Sequence, residues 1–221
     1  MFEAAEAFDV QYLEYFARMG RRYVMSLPAS NEKPDRKKME LAKIKVEQAM
    51  REIVDGQNEF AETFINAAYS DEPGTVVWGL GMTVWASSGV MMQDELRKRG
   101  KGILDAAARK RPANRLLIRA HAIIARSERN FAKAHKFLDM MLRLDPTDAE
   151  AVNDKIELFM TQDEFQKAAG MLNKAEQKFP GSQLIKSTSG VFKRDSKQCP
   201  RCKTFVRFAA PFCPKCKHSW L

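Results

Sequence analysis

The sequence predicts an all-α chain: a solenoid of stacked helical hairpins with N-terminal capping helices and a small C-terminal metal ribbon. Three observations carry this. A self-similarity with a period of 34 runs through the middle of the chain, apolar residues recur at helical steps before it, and all four cysteines form two clasps near the C-terminus. The chain has 221 residues, room for one large domain or a medium one with a small appendage. Its apolar fraction of 45% and charged fraction of 29% are ordinary globular values, which excludes a fibrous or disordered class.

The repeat is clearest where NFAKAHKFLDMMLRLDP (130–146) is laid over EFQKAAGMLNKAEQKFP (164–180). Phe131 falls on Phe165, Lys133 on Lys167, Ala134 on Ala168, Leu138 on Leu172 and Pro146 on Pro180. One step back, Gly100, Leu104 and Pro112 take the same places, and Ala107 matches Ala175. A helical hairpin needs these residue types. The small side chain lets two helices approach, the leucine four residues on fills the space between them, and proline cannot continue the hydrogen-bond ladder. One hairpin cannot bury its apolar face, so neighbours must stack.

Ahead of the array, residues 2–25 and about 36–69 read as helices. Tyr12, Phe16, Met19 and Tyr23, then Leu41, Ile44, Val46, Ala49 and Ile53, recur mostly every three or four residues. SLPASNEKPDRKK (26–38) separates them as a polar, proline-bearing connection. Residues 75–92 (TVVWGLGMTVWASSGVMM) carry no charge and are followed by Arg97, Lys98, Arg99 and Lys101, a pattern long enough for a membrane span. The repeat phase offers a different reading: residues 82–95 form the first helix of repeat one, with Val84, Ser88 and Met91 facing its partner. A helix apolar all round is equally a buried core helix.

The expected organisation is an N-terminal helical region (1–80), three repeats (81–182, as 81–114, 115–148 and 149–182), a linker (183–198) and a ribbon (199–221). Cys199, Cys202, Cys213 and Cys216 form C-x2-C-x10-C-x2-C. Two cysteines three apart on a turn aim both sulfurs at one ion, and the proline after the first stiffens the turn. Two such turns joined by a short hairpin (Lys203 to Phe212) complete a tetrahedron with sulfur about 2.3 Å from zinc. Phe205, Phe208, Phe212 and Trp220 are too little core to fold alone. The ion replaces a core, contributing on the order of 10 kcal/mol in comparable modules. Four thiolates leave no position for water, which excludes a hydrolytic zinc. Iron in the same cage would instead make a rubredoxin-type redox centre. Arg201, Lys203, Lys215 and Lys217 offset the charge of the cluster, and His218 reads as a surface residue rather than a further ligand.

With its period of 34, the RLDPTDAEA turn and the small–leucine–proline pattern, the chain resembles the tetratricopeptide repeat family over about residues 81–182. The family's Trp-x-x-Leu-Gly-x-x-Tyr signature is not present in the first helices. The combination of such repeats with a C-terminal rubredoxin-like clasp pair and a following Trp220 resembles the lipopolysaccharide assembly protein B family. This chain has three recognisable repeats where that family has more, and no membrane helix at its very start. The resemblance implies a protein-binding scaffold whose metal domain braces the binding surface, with Cys199, Cys202, Cys213 and Cys216 as ligands.

The net charge of +9 is concentrated in two segments, 97–119 and 186–221, each with nine basic residues and one acid. Anionic partners meet such fields first. There is no glycine-rich phosphate loop, no His-Glu-x-x-His and no nucleophile elbow, and His121, His135 and His218 are scattered, so no catalytic role is expected. The leading expectation is a non-catalytic, cytoplasmic scaffold that binds a partner protein or peptide, with Trp85, Arg119, Arg126 and Asn153 pointing into a groove. Its alternatives are a nucleic-acid-binding zinc ribbon, using Phe205, Phe208 and Arg207, and an assembly factor tethered to a membrane through residues 75–92.

Overall fold

The structure is a computed structural model that describes residues 9–220. Among these, ten helices precede two short strands, and the chain divides into two compact units, Met1–His121 and Ala122–Leu221. Part of the first helix expected from the sequence, residues 2–8, lies outside the described residues.

The first unit is organised by its most apolar helix. Helices α1 (Val10–Ser26), α2 (Arg36–Val54), α3 (Asn58–Asp71) and α5 (Asp94–Lys110) all pack against α4 (Pro73–Val90). With neighbours on every side, α4 is buried along almost its whole length, Val76, Val77, Leu80 and Val84 among its fully buried residues. That enclosure explains why its sequence lacks charge. No helix among the described residues is long and apolar enough to cross a membrane. Gly100 of α5 brings the two helices into contact: a Cβ there would lie 2.6 Å from the backbone nitrogen of Trp85 and 2.9 Å from the carbonyl oxygen of Gly81.

Polar contacts hold the ends of this unit. Glu72 caps α4, its Oε2 accepting from the backbone N–H of Thr75 at 2.6 Å and from the Thr75 hydroxyl at 2.8 Å. Asn114 caps α6 (Arg115–Ser127) with its Oδ1 and donates its Nδ2 to Glu72, so two helix caps meet back to back in a buried site. The Lys110 ammonium donates to the carbonyls of Val24, Met25 and Leu27 at the end of α1, where a cation meets the negative helix terminus. Much of the basic run 97–119 is therefore structural.

Three expectations are corrected here. The helix read over 82–95 is the second half of α4, a turn at Met92 (φ 55°) and the start of α5, so a domain boundary at residue 80 would cut α4. The stretch 36–69 is two helices, broken at Gly56, whose φ of 78° suits glycine. Leu41 and Ile44 are exposed, and Met39, Ala42, Val46, Ala49 and Ile53 make the inner stripe instead.

In the second unit the end of α6 is followed by α7 (Phe131–Leu144), α8 (Ala149–Thr161), α9 (Phe165–Lys178) and α10 (Gln183–Asp195). Helices α6, α8 and α10 begin at residues 115, 149 and 183, and α7 and α9 at 131 and 165, in both series 34 apart. Local chemistry sets this phase. Asn114, Asp148 and Ser182 each follow a repeat proline by two residues, and each accepts backbone N–H bonds from the helix it starts. Arg129 and Asp163, also 34 apart, adopt left-handed φ of 56° and 61° at the tight turns into α7 and α9. Ala134 and Ala168 are fully buried, and Leu138 and Leu172 nearly so, as the hairpin argument requires.

The segment 183–198 is not a linker: α10 fills it to Asp195 and β1 (Ser196–Gln198) follows at once. Its inner stripe is Ile185, Thr188, Ser189 and Phe192. Two of those four places are polar, and Thr188 offsets its burial by donating to Asn153 of α8. An apolar count therefore underestimates the helix.

Candidate metal centre

Each cysteine clasp is built as a tight knuckle, and the two knuckles have the same hydrogen bonds. Cys199 donates its N–H to the carbonyl of Thr204 at 2.9 Å and accepts from the N–H of Lys203 at 2.9 Å. Cys213 donates to the carbonyl of His218 at 2.8 Å and accepts from Lys217 at 2.9 Å. In both turns the fourth residue after the first cysteine is left-handed: Lys203 and Lys217 have φ of 58° and 59°. That position favours glycine.

The small pairings differ from the hairpin expected over Lys203 to Phe212. Antiparallel strands β1 and β2 (Phe205–Arg207) enclose the first clasp, with Ser196 opposite Arg207, and a bridge between Phe212 and Ser219 encloses the second. Each pair of cysteines thus sits at the tip of its own ribbon.

The four sulfurs converge, all within 4.8 Å of one another. Cys199 and Cys216 are 3.5 Å apart at sulfur, and Cys202 and Cys213 are 3.6 Å apart. A disulfide would need about 2.05 Å. Four sulfurs at about 2.3 Å from a central ion stand about 3.8 Å apart, so the donor set fits a tetrahedral metal. Cys199 and Cys213 are fully buried with Val206, and Trp220 packs over the cluster beneath the Lys197 ammonium, 3.9 Å from its ring centroid. Hydrogen bonds with the side chain and backbone of Thr204 pull the Cys202 thiol down to about 6. A backbone hydrogen bond from His218 favours the Cys216 thiolate, but burial and the other three sulfurs outweigh it and leave that thiol at about 11. His218 lends its carbonyl to the second knuckle and sets its ring against Trp220, apart from the sulfur cluster.

The module is joined to the helices beside it. Phe205 packs on Phe192 of α10 with ring centroids 5.4 Å apart, and its N–H donates to Gln166 of α9 at 2.9 Å. Arg207 donates its Nε to Asp163, the left-handed turn residue before α9, at 2.5 Å, and Phe208 donates its N–H to the carbonyl of Asp195. Phe205 is therefore half-buried against the helical core rather than part of an exposed stacking surface. The Asp163 and Gln166 contacts have no motif in the sequence that would announce them.

The expected groove residues fare unequally. Trp85 is 8% exposed, its ring covered by the Arg97 guanidinium at 4.9 Å. Asn153 is 2% exposed and tied to Glu157 and Thr188. Neither presents a side chain to an open groove, because both lie on the inner faces of their helices. Arg119 is half-buried in the first unit. Arg126 is partly exposed in the second, 3.2 Å from Glu157, where both line a cleft of about 730 Å³. His121 bonds Asp105 and the carbonyl of Leu117, and His135 bonds Gln162. No known family model matches the chain, and no curated protein does.

Proposed function

We propose that the chain is a non-catalytic scaffold: tetratricopeptide-like helical hairpins that bind a partner protein, with a structural zinc ion locking the C-terminal module onto the last helices. The observation that carries this is the direct seating of the cysteine module on α9 and α10 through Phe205, Arg207 and Phe208. A metal held by four thiolates has no position left for substrate, so its effect is to cross-link two knuckles and hold the segment between them. The helix starts 34 residues apart, with proline and an N-cap before each, support the repeat reading. Zinc is favoured over iron because a cross-link needs no redox chemistry.

Affinity purification of the tagged full chain, with mass spectrometry and metal analysis on the same sample, tests this. A stoichiometric protein partner and one zinc per chain are expected. Recovery of nucleic acid alone, or of iron that cycles between oxidation states, would overturn it.

A further inference from the structure

The cleft that holds Arg126 has walls from at least four separate parts of the second unit. Arg126 comes from α6, Glu157, Met160 and Thr161 from α8, Arg194 and Asp195 from the end of α10, and Arg207 and Phe208 from the chain between the two cysteine clasps. One wall therefore belongs to the metal module. We propose that this cleft binds an acidic, extended segment of another protein, and that it is complete only when the module holds its metal. The proposal rests on the scaffold reading and names the chemistry of its partner.

Three guanidiniums face two lining carboxylates, Glu157 and Asp195, in a segment with nine basic residues and one acid over 186–221. The guanidiniums are only lightly engaged. The Arg126–Glu157 and Arg207–Asp163 pairs have side chains 38% to 59% exposed, a setting where an ion pair contributes little and exchanges readily for an incoming carboxylate. Asp163 takes the Nε of Arg207, and among the described residues no hydrogen bond is seen to its two Nη groups or to the side chain of Arg194. Planar forks held in this way suit bidentate recognition of carboxylates. Phe208, 62% exposed at the rim, offers an apolar face to a neighbouring side chain. A nucleic-acid backbone fits less well. Its continuous phosphates would meet Glu157 and Asp195, and Phe205, the second aromatic needed for stacking, is packed on Phe192.

The test is fluorescence anisotropy with the full zinc-loaded chain. A short labelled peptide of Asp, Glu and Leu is compared with a Lys–Leu peptide and with oligo(dT). The acidic peptide should bind best, and Arg194→Gln should weaken it about tenfold, as should Arg126→Gln, each with an unchanged melting profile. Chelation should abolish binding and added zinc restore it. Equal binding of the acidic and basic peptides, or of the acidic peptide to wild type and an Arg126→Gln/Arg194→Gln double variant, would overturn the assignment. So would tighter binding of oligo(dT) that is lost in that variant. Binding that survives chelation would overturn the dependence on metal. If the stoichiometric partner is still captured by the double variant, the scaffold stands and this cleft is not its binding site.

Discussion

The two units solve the same burial problem differently. The first surrounds one apolar helix, α4, with four others, so its core is closed on all sides. The second is made of helices whose inner stripes are narrow: α7 buries only Ala134, Leu138 and Met141, and α10 uses Thr188 and Ser189 among four inner places. Its last helices gain cover from the cysteine module, through Phe205 against the cluster that contains Phe165 and Phe192. A closed helical core needs tight packing alone, whereas an open one leans on an added element, here a module whose four cysteines could hold an ion. Disturbing packing should therefore damage the first unit, and disturbing metal the second.

The largest effect should come from the metal. Cys213→Ser, or chelation of the wild type, should destabilise the second unit by several kcal/mol, because a ligand that binds only the native state adds its binding free energy to folding. Hydrogen exchange should accelerate in α9 and α10 while α4 stays protected. Equal acceleration in α4 would break the comparison. Gly100→Ala should follow, at about 1–3 kcal/mol, since the new methyl meets backbone that cannot rotate away. Its exchange signature should appear in α4 and α5, with metal content unchanged.

The smallest effect is a pH dependence in the second unit. Burial first, then the charge of Lys155, lowers the pKa of His135 below 6.5, with Lys167 acting the same way and Asp139 and Glu164 opposing. The native state thus keeps the ring neutral where the unfolded chain protonates. Its contribution is complete above pH 6.5 and declines as pH falls from there toward the lowered folded value. His135→Gln should flatten the stability slope between pH 6.5 and 5 without changing its sign elsewhere, measured by denaturant midpoints. An unchanged slope would show that the ring does not titrate differently on folding.

The legible features were those that repeat or that fall in a strict spacing. The hairpin contacts at Ala134, Ala168, Leu138 and Leu172 and the four converging sulfurs follow from residue type and interval. The N-caps at Asn114, Asp148 and Ser182 were equally available, two residues after each proline, and would have placed the start of α10. What could not be read arises from long-range pairing. Asp163 and Arg207 are 44 residues apart with no common motif, and Trp85 and Asn153 are polar-edged residues whose burial depends on which neighbour covers them. Gly56 was a missed turn signal: the Asp-Gly pair in the middle of 36–69 marks the break between α2 and α3.

Helix α10 ends at Asp195 and β1 begins at Ser196, so no free residue separates the metal module from the helix before it. A module on a slack tether would report only on itself when it gained or lost its ion. Here the module is also joined to the helices and the turn before α9 through Phe205, Arg207 and Phe208. If the four cysteines hold a metal ion, its chemical potential enters the unfolding free energy of these helices. At fixed temperature and chain concentration, the free concentration of that ion would then set how often the last hairpin opens to a protease.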